Sequence, residues 1–185
     1  MKINFFNPFT HIAGLKSLVM GFALMSITLV ISFYSDTHFD GAIDAHIGLE
    51  APFLMYAVEQ VVAWSCVAVT LCIGGLILSK SKFRFIDVAG VVALSRAPMV
   101  LVAIMGFIPM FHTNEPLQIS NSFLALSIVM LFPVVWMIAL LFNGFKVAVN
   151  IKGTKAIVGF IIALLLAEIL SIYLNHLTQS IFLHV

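Results

Sequence analysis

The chain has 185 residues, of which 62% are hydrophobic and 9% charged, with a formal net charge of +1 and a mean hydropathy of +1.16. Soluble domains carry about 25% charged and about 45–50% apolar residues, so a water-soluble fold of this size would lack the polar groups to cover its surface, and the excess must face lipid. A net charge near zero without a basic stripe excludes a nucleic-acid or polyanion binder.

A crossing of about 30 Å of hydrocarbon needs about 20 apolar residues at 1.5 Å each. Five such runs occur, at about 15–34, 52–79, 86–110, 122–142 and 156–177. A cleaved signal peptide is the rival reading of the first. Its apolar stretch exceeds the usual 7–15 residues, however, and no small-x-small site follows before Ser35-Asp36-Thr37. The expected fold is therefore an all-α polytopic bundle of five transmembrane helices forming one domain over 1–185.

The connections alternate in charge. Lys2 and Lys16 flank the start of the first span; Lys80, Lys82 and Arg84 join the second to the third; Lys146, Lys152 and Lys155 join the fourth to the fifth. The intervening connections carry Asp36, Asp40, Asp44 and Glu50, then Glu115 alone. Eight of the nine basic residues thus fall on alternate sides, which the positive-inside rule reads as N-terminus in, C-terminus out. Tyr34, Tyr56 and Tyr173 all fall near the expected outer boundary, where amphipathic rings prefer to lie.

Cys66 and Cys72 are six apart in the second span, about 120° apart on a helix, and read as packing residues rather than a bridge. The connection at 35–51 is the longest outside the spans, and Ala42 to Ile47 within it could form a short interfacial helix. Two histidines and two carboxylates there, His38, Asp40, Asp44 and His46, are donors that suit a divalent ion, but their spacing matches no metal signature, so a solvated acidic loop is the preferred reading.

Three ionisable groups lie within spans: Glu59, Arg96 and Glu168. A charge at the centre of a membrane helix costs about 2.5–3.5 kcal/mol on insertion scales, so each needs a partner or a task. All three fall between the midplane and the outer third, which allows a structural ion pair or triad centred on Arg96, or a proton or substrate site. Small residues give each of these helices a close-packing face: Ala63, Cys66, Thr70 and Gly74 with Glu59; Ala89, Ala93 and Ala97 beside Arg96; Gly159, Ala163, Ala167 and Ser171 beside Glu168. The fourth span carries no charge and is expected to be the most lipid-exposed.

No His-Glu-x-x-His, Gly-x-Ser-x-Gly or Walker glycine loop occurs. Ser95, Ser120 and Ser122 have no base nearby in a span, and His112, His176 and His184 fall on outer flanks. No catalytic residue and no cofactor is expected, and the chain reads as a non-enzyme.

Two stretches carry a family resemblance. One is Arg84 to Leu101, with Phe85 at its start, Gly90 inside and Pro98 eight residues on; the other is Trp136 to Lys146 followed by Lys152-Gly153-Thr154-Lys155-Ala156. With Asn7-Pro8-Phe9 near the N-terminus, these resemble the YIP family (Ypt/Rab-interacting membrane proteins, the Yip-one domain), in particular its short bacterial members. The resemblance implies five spans, a bacterial cytoplasmic membrane and a membrane-organising or trafficking-like scaffold acting through helix packing and partner binding. Self-association or other membrane proteins would be its partners, beside the bilayer itself. The stretch ahead of the first span has only about 14 residues, and Val91 stands where the family usually has an aromatic. Both departures weaken any transfer of GTPase binding. The alternative function is a small transporter or a proton or ion pathway through Glu59, Arg96 and Glu168.

Overall fold

The structure is a computed structural model that describes residues 5–48, 50–112 and 121–183. Lys2, Glu115, Ser120, His184 and the side chain of Ser122 lie outside the described residues. Along the described chain run α1 (Gly14–Tyr34), a two-residue ladder of β1 (Thr37–His38) with β2 (His46–Ile47), α2 (Phe53–Leu78), α3 (Phe85–Ser95), α4 (Met99–Met105), α5 (Asn121–Val149) and α6 (Thr154–Leu183). Five stretches are long and apolar enough to cross a membrane, with α3 and α4 together making the third. This is an integral membrane protein.

The third crossing is not one continuous helix. Pro98 has no N–H to give the carbonyl four residues back, and the chain tightens there into i→i−3 bonds, Arg96 N to Ala93 O at 3.3 Å and Ala97 N to Leu94 O at 3.1 Å. The expected single run 86–110 is thus a helix broken at Arg96-Ala97-Pro98 and ending at Met105. Its start is fixed by Asp87, whose carboxylate accepts the Arg84 backbone N–H at 3.2 Å and pairs with the Arg84 guanidinium at 2.9 Å. The fourth and fifth helices exceed their expected lengths, because their helical pattern continues through polar residues such as Asn143, Lys146 and Gln179 beyond the apolar run.

The broken helix is the centre of the bundle. It is 72% buried, against 22–33% for the other four spans, and α5 is the least buried of all. α1 and α5 pack on α3, and α6 packs on α2. The approach of α1 to α3 is backbone to backbone: a Cβ at Gly21 would lie 2.5 Å from the Ala93 carbonyl carbon, one at Gly90 would lie 2.6 Å from the Gly14 oxygen, and Ser17 Oγ donates to Gly90 O at 2.9 Å. In lipid, where hydrophobicity does not drive helices together, such close contact is what holds them. The face made by Gly14, Ser17 and Gly21 is a packing stripe that the sequence analysis did not single out.

Candidate functional site

The connection between α1 and α2 does not stay at the surface. Its ends are tied by the β1–β2 ladder, with Thr37 opposite Ile47 and His38 opposite His46, and Gly48 N donates to Asp36 O at 2.9 Å. Between the strands the chain folds into the bundle, burying Phe39 and Ala42. The expected short helix over Ala42 to Ile47 is absent: the backbone groups of Asp40, Ala42 and Ile43 find their partners on the surrounding spans instead.

Those partners are the polar side chains that sit inside the spans. Arg96 donates from its guanidinium to Ala42 O at 3.1 Å. Glu168 Oε2 accepts Ile43 N–H at 3.0 Å, Ser171 Oγ accepts Ala42 N–H at 2.8 Å, and Asn175 Nδ2 donates to Asp40 O. Arg96 is the twelfth residue of the crossing that starts at Phe85 and Glu168 the fifteenth of the thirty in α6. The loop therefore reaches about 16 Å along the third crossing from its start, near mid-membrane. Non-helical backbone persists at that depth only where protein satisfies it, since each unsatisfied group costs several kcal/mol there. Arg96, Glu168, Ser171 and Asn175 do so.

Glu59 has a different partner. His38 Nδ1 lies 2.8 Å from Glu59 Oε2, and both side chains are fully enclosed (0% exposed). The His38 ring stacks on Tyr56 at 4.1 Å on one side and on His46 at 4.9 Å on the other, and His46 Nδ1 reaches Asp40 Oδ2 at 3.1 Å. The result is a Glu59–His38 pair stacked against a His46–Asp40 pair. Asp44 turns back to accept the following Ala45 N–H at 2.8 Å.

The three intramembrane charges thus gather on the loop rather than on one another. Among the described residues no carboxylate oxygen lies within 4.0 Å of the Arg96 guanidinium, although Glu168 is the carboxylate whose field acts on it. Instead of the direct ion pair, one of the two readings open from sequence, Arg96 and Glu168 each hold the same backbone segment. Of the four loop residues considered as metal ligands, His38 pairs with Glu59, Asp40 with His46, and Asp44 accepts the Ala45 amide; among the described residues no group of three or more His, Cys, Asp or Glu side chains is arranged to hold a metal ion. Among the grooves formed by the described residues are one of about 550 Å³ and one of about 300 Å³, and neither of these is lined by Glu59, Arg96 or Glu168.

Sequence reasoning missed Ser171 and Asn175 as loop ligands and His38 as the partner of Glu59. A signal for the first two was present: Glu168, Ser171 and Asn175 recur at i, i+3 and i+7, a polar stripe on an otherwise apolar helix. No protein-family model, curated protein or solved structure matches the chain.

The outer pair titrates in a useful range. Hydrogen bonding to Asp40 raises the His46 imidazole above its ordinary 6.5 against the opposing effect of burial, while Asp40, which burial would push up, is held below 3.8 by His46. The raised imidazole contributes stability that is complete below pH 6.5 and is lost as pH rises through its folded value; the lowered carboxyl contributes stability present above pH 3.8 and lost as pH falls further. The loop is therefore expected to be held best between about pH 4 and 6.5 and to loosen above that. A thermal unfolding series from pH 5 to 8.5 checks this: the wild-type midpoint should fall across the range by more than that of His46→Ala, and parallel curves would remove His46 as the cause.

Proposed function

We propose that the chain is a non-enzymatic, five-span membrane protein of YIP type that organises a bacterial cytoplasmic membrane as a scaffold, working through helix packing and partner binding. Its N-terminus and its basic connections at 80–84 and 146–155 face the cytoplasm, and its C-terminus lies on the other side, as the Lys and Arg asymmetry supports. The observation that carries this reading is that Arg96, Glu168, Ser171 and Asn175 are all engaged in holding the chain's own loop. Polar groups committed in this way leave the helix faces and the short basic connections as the surfaces that meet other molecules. GTPase binding is not part of the proposal. Crosslinking and affinity isolation from native membranes, with lipid analysis of a deletion strain, test it. A stable partner together with changed membrane composition or morphology is the expected outcome, and the absence of both sinks it.

A second reading, a proton or ion pathway, is favoured by one observation: Glu59 Oε1 is buried with no hydrogen-bond partner among the described residues while Oε2 holds His38. A histidine and a carboxylate enclosed together in a membrane are the components of a proton relay. Proteoliposomes carrying wild type, Glu59→Gln or Glu168→Gln decide between the two. Flux in wild type that is lost in the variants replaces the scaffold with the pathway, and no flux in any of them removes the pathway.

A further inference from the structure

Where α2 and α6 pack together near the basic connections, Gly74 faces Ala163, and the Leu78 side chain seats against Gly159. Beside these contacts runs a lipid-facing groove of about 550 Å³ between walls that include Ile77 and Val158. Its lining is apolar except for Thr70, Thr154 and Lys155. On α6 it extends from Thr154 to Leu166, twelve residues or about 18 Å, a little over half of a roughly 30 Å hydrocarbon core and so about one leaflet deep. Lys155 stands at the mouth, and the exposed Lys80 and Lys152 lie two residues from the lining residues Leu78 and Thr154. No Asp or Glu occurs in 79–84 or 146–155 to neutralise them.

We propose that this groove binds an anionic phospholipid of the leaflet at the basic end, with an acyl chain lying along Gly74, Gly159 and Ala163 and the phosphate held by Lys155. Length and charge decide the occupant: an apolar floor about one leaflet deep that ends beside uncompensated lysines matches an acyl chain below an anionic headgroup. The charge decides the headgroup: Lys155 at the mouth, with the exposed Lys80 and Lys152 close to the lining in sequence, attracts a net negative lipid over a zwitterionic one, each lysine near a membrane surface favouring it by about fivefold.

The test uses the full chain in nanodiscs of equal phosphatidylglycerol and phosphatidylcholine, followed by native mass spectrometry of the lipids that stay bound. One retained phosphatidylglycerol per chain is expected. Lys155→Gln should reduce its excess over phosphatidylcholine by about fivefold. Val158→Trp, at a position half exposed to lipid, should fill the groove and abolish retention of both lipids while the unfolding midpoint stays at the wild-type value. Equal retention of the two lipids by wild type overturns the proposal. So does phosphatidylglycerol retention unchanged in both variants, which would seat the lipid elsewhere, or a second copy of the chain bound in place of lipid.

Discussion

His38→Phe is expected to destabilise the folded protein by about 3–5 kcal/mol, the cost of leaving one member of a buried polar pair alone, and adding Glu59→Leu is expected to recover most of it. The pair is enclosed on every side, with His38 Nδ1 2.8 Å from Glu59 Oε2 and neither side chain exposed. Phenylalanine keeps a ring between Tyr56 and His46, so the stacking of about 0.5–1.5 kcal/mol is largely retained. What it removes is the polar partner of Oε2, in a carboxylate whose Oε1 has none among the described residues. The stranded oxygen outweighs the ring, which fixes the sign of the effect. Replacing both partners with apolar side chains removes the buried polar atoms altogether, and that exchange is close to neutral in interiors. Unfolding of the two single variants and the double in detergent, followed by far-ultraviolet circular dichroism, measures the difference. A His38→Phe chain as stable as wild type, or a double variant less stable than either single, would falsify this account of the pair.

The five crossings were legible because the signal for each is an unbroken apolar run longer than a bilayer, and no tertiary context is needed to read it. The break in the third was less so. Pro98 announces a disturbance, but whether a helix bends, stops or continues past a proline depends on what satisfies the freed groups, and here neighbouring turns do. The site was half legible. That Glu59, Arg96 and Glu168 each required a partner followed from the cost of burying charge, and their similar depth followed from counting residues. Their partners were not readable, because those of Arg96 and Glu168 are backbone groups of Ala42 and Ile43, and backbone carries no residue-type signature. His38, Asp40, Asp44 and His46 read as a solvated acidic loop with a metal site as the lesser alternative, yet the pairing of His38 with Glu59 spans a loop whose path into the bundle is set by tertiary contact. A hint lay in the loop itself, where Phe39, Ala42 and Ile43 interleave with the acids Asp40 and Asp44. A connection intended for water has little use for them.

Arg96→Ala is expected to cost about 2–4 kcal/mol, combining a charge-assisted hydrogen bond with the buried stem of a long side chain, and Glu168→Ala about 1–3 kcal/mol for the Ile43 N–H it leaves without an acceptor. The two residues come from different helices but hold adjacent loop residues from opposite sides, Arg96 at the Ala42 carbonyl and Glu168 at the Ile43 amide. Once one anchor is gone the loop backs away from the other, so the second loss costs less. The double variant should therefore fall short of the sum of the singles by about 0.5–3 kcal/mol, the range for residues in one network. Two charges serving unrelated parts of the bundle would instead add. Hydrogen exchange locates the effect: the amides of Ala42 and Ile43 should exchange faster in both single variants, while those of α3 around Val88 to Val92, buried among α1, α2 and α5, keep their protection. Strict additivity, or loop amides that exchange at the wild-type rate in Arg96→Ala, would show that the guanidinium does not hold the loop. A folded Arg96→Ala protein of wild-type stability that loses only an activity would point instead to a working charge.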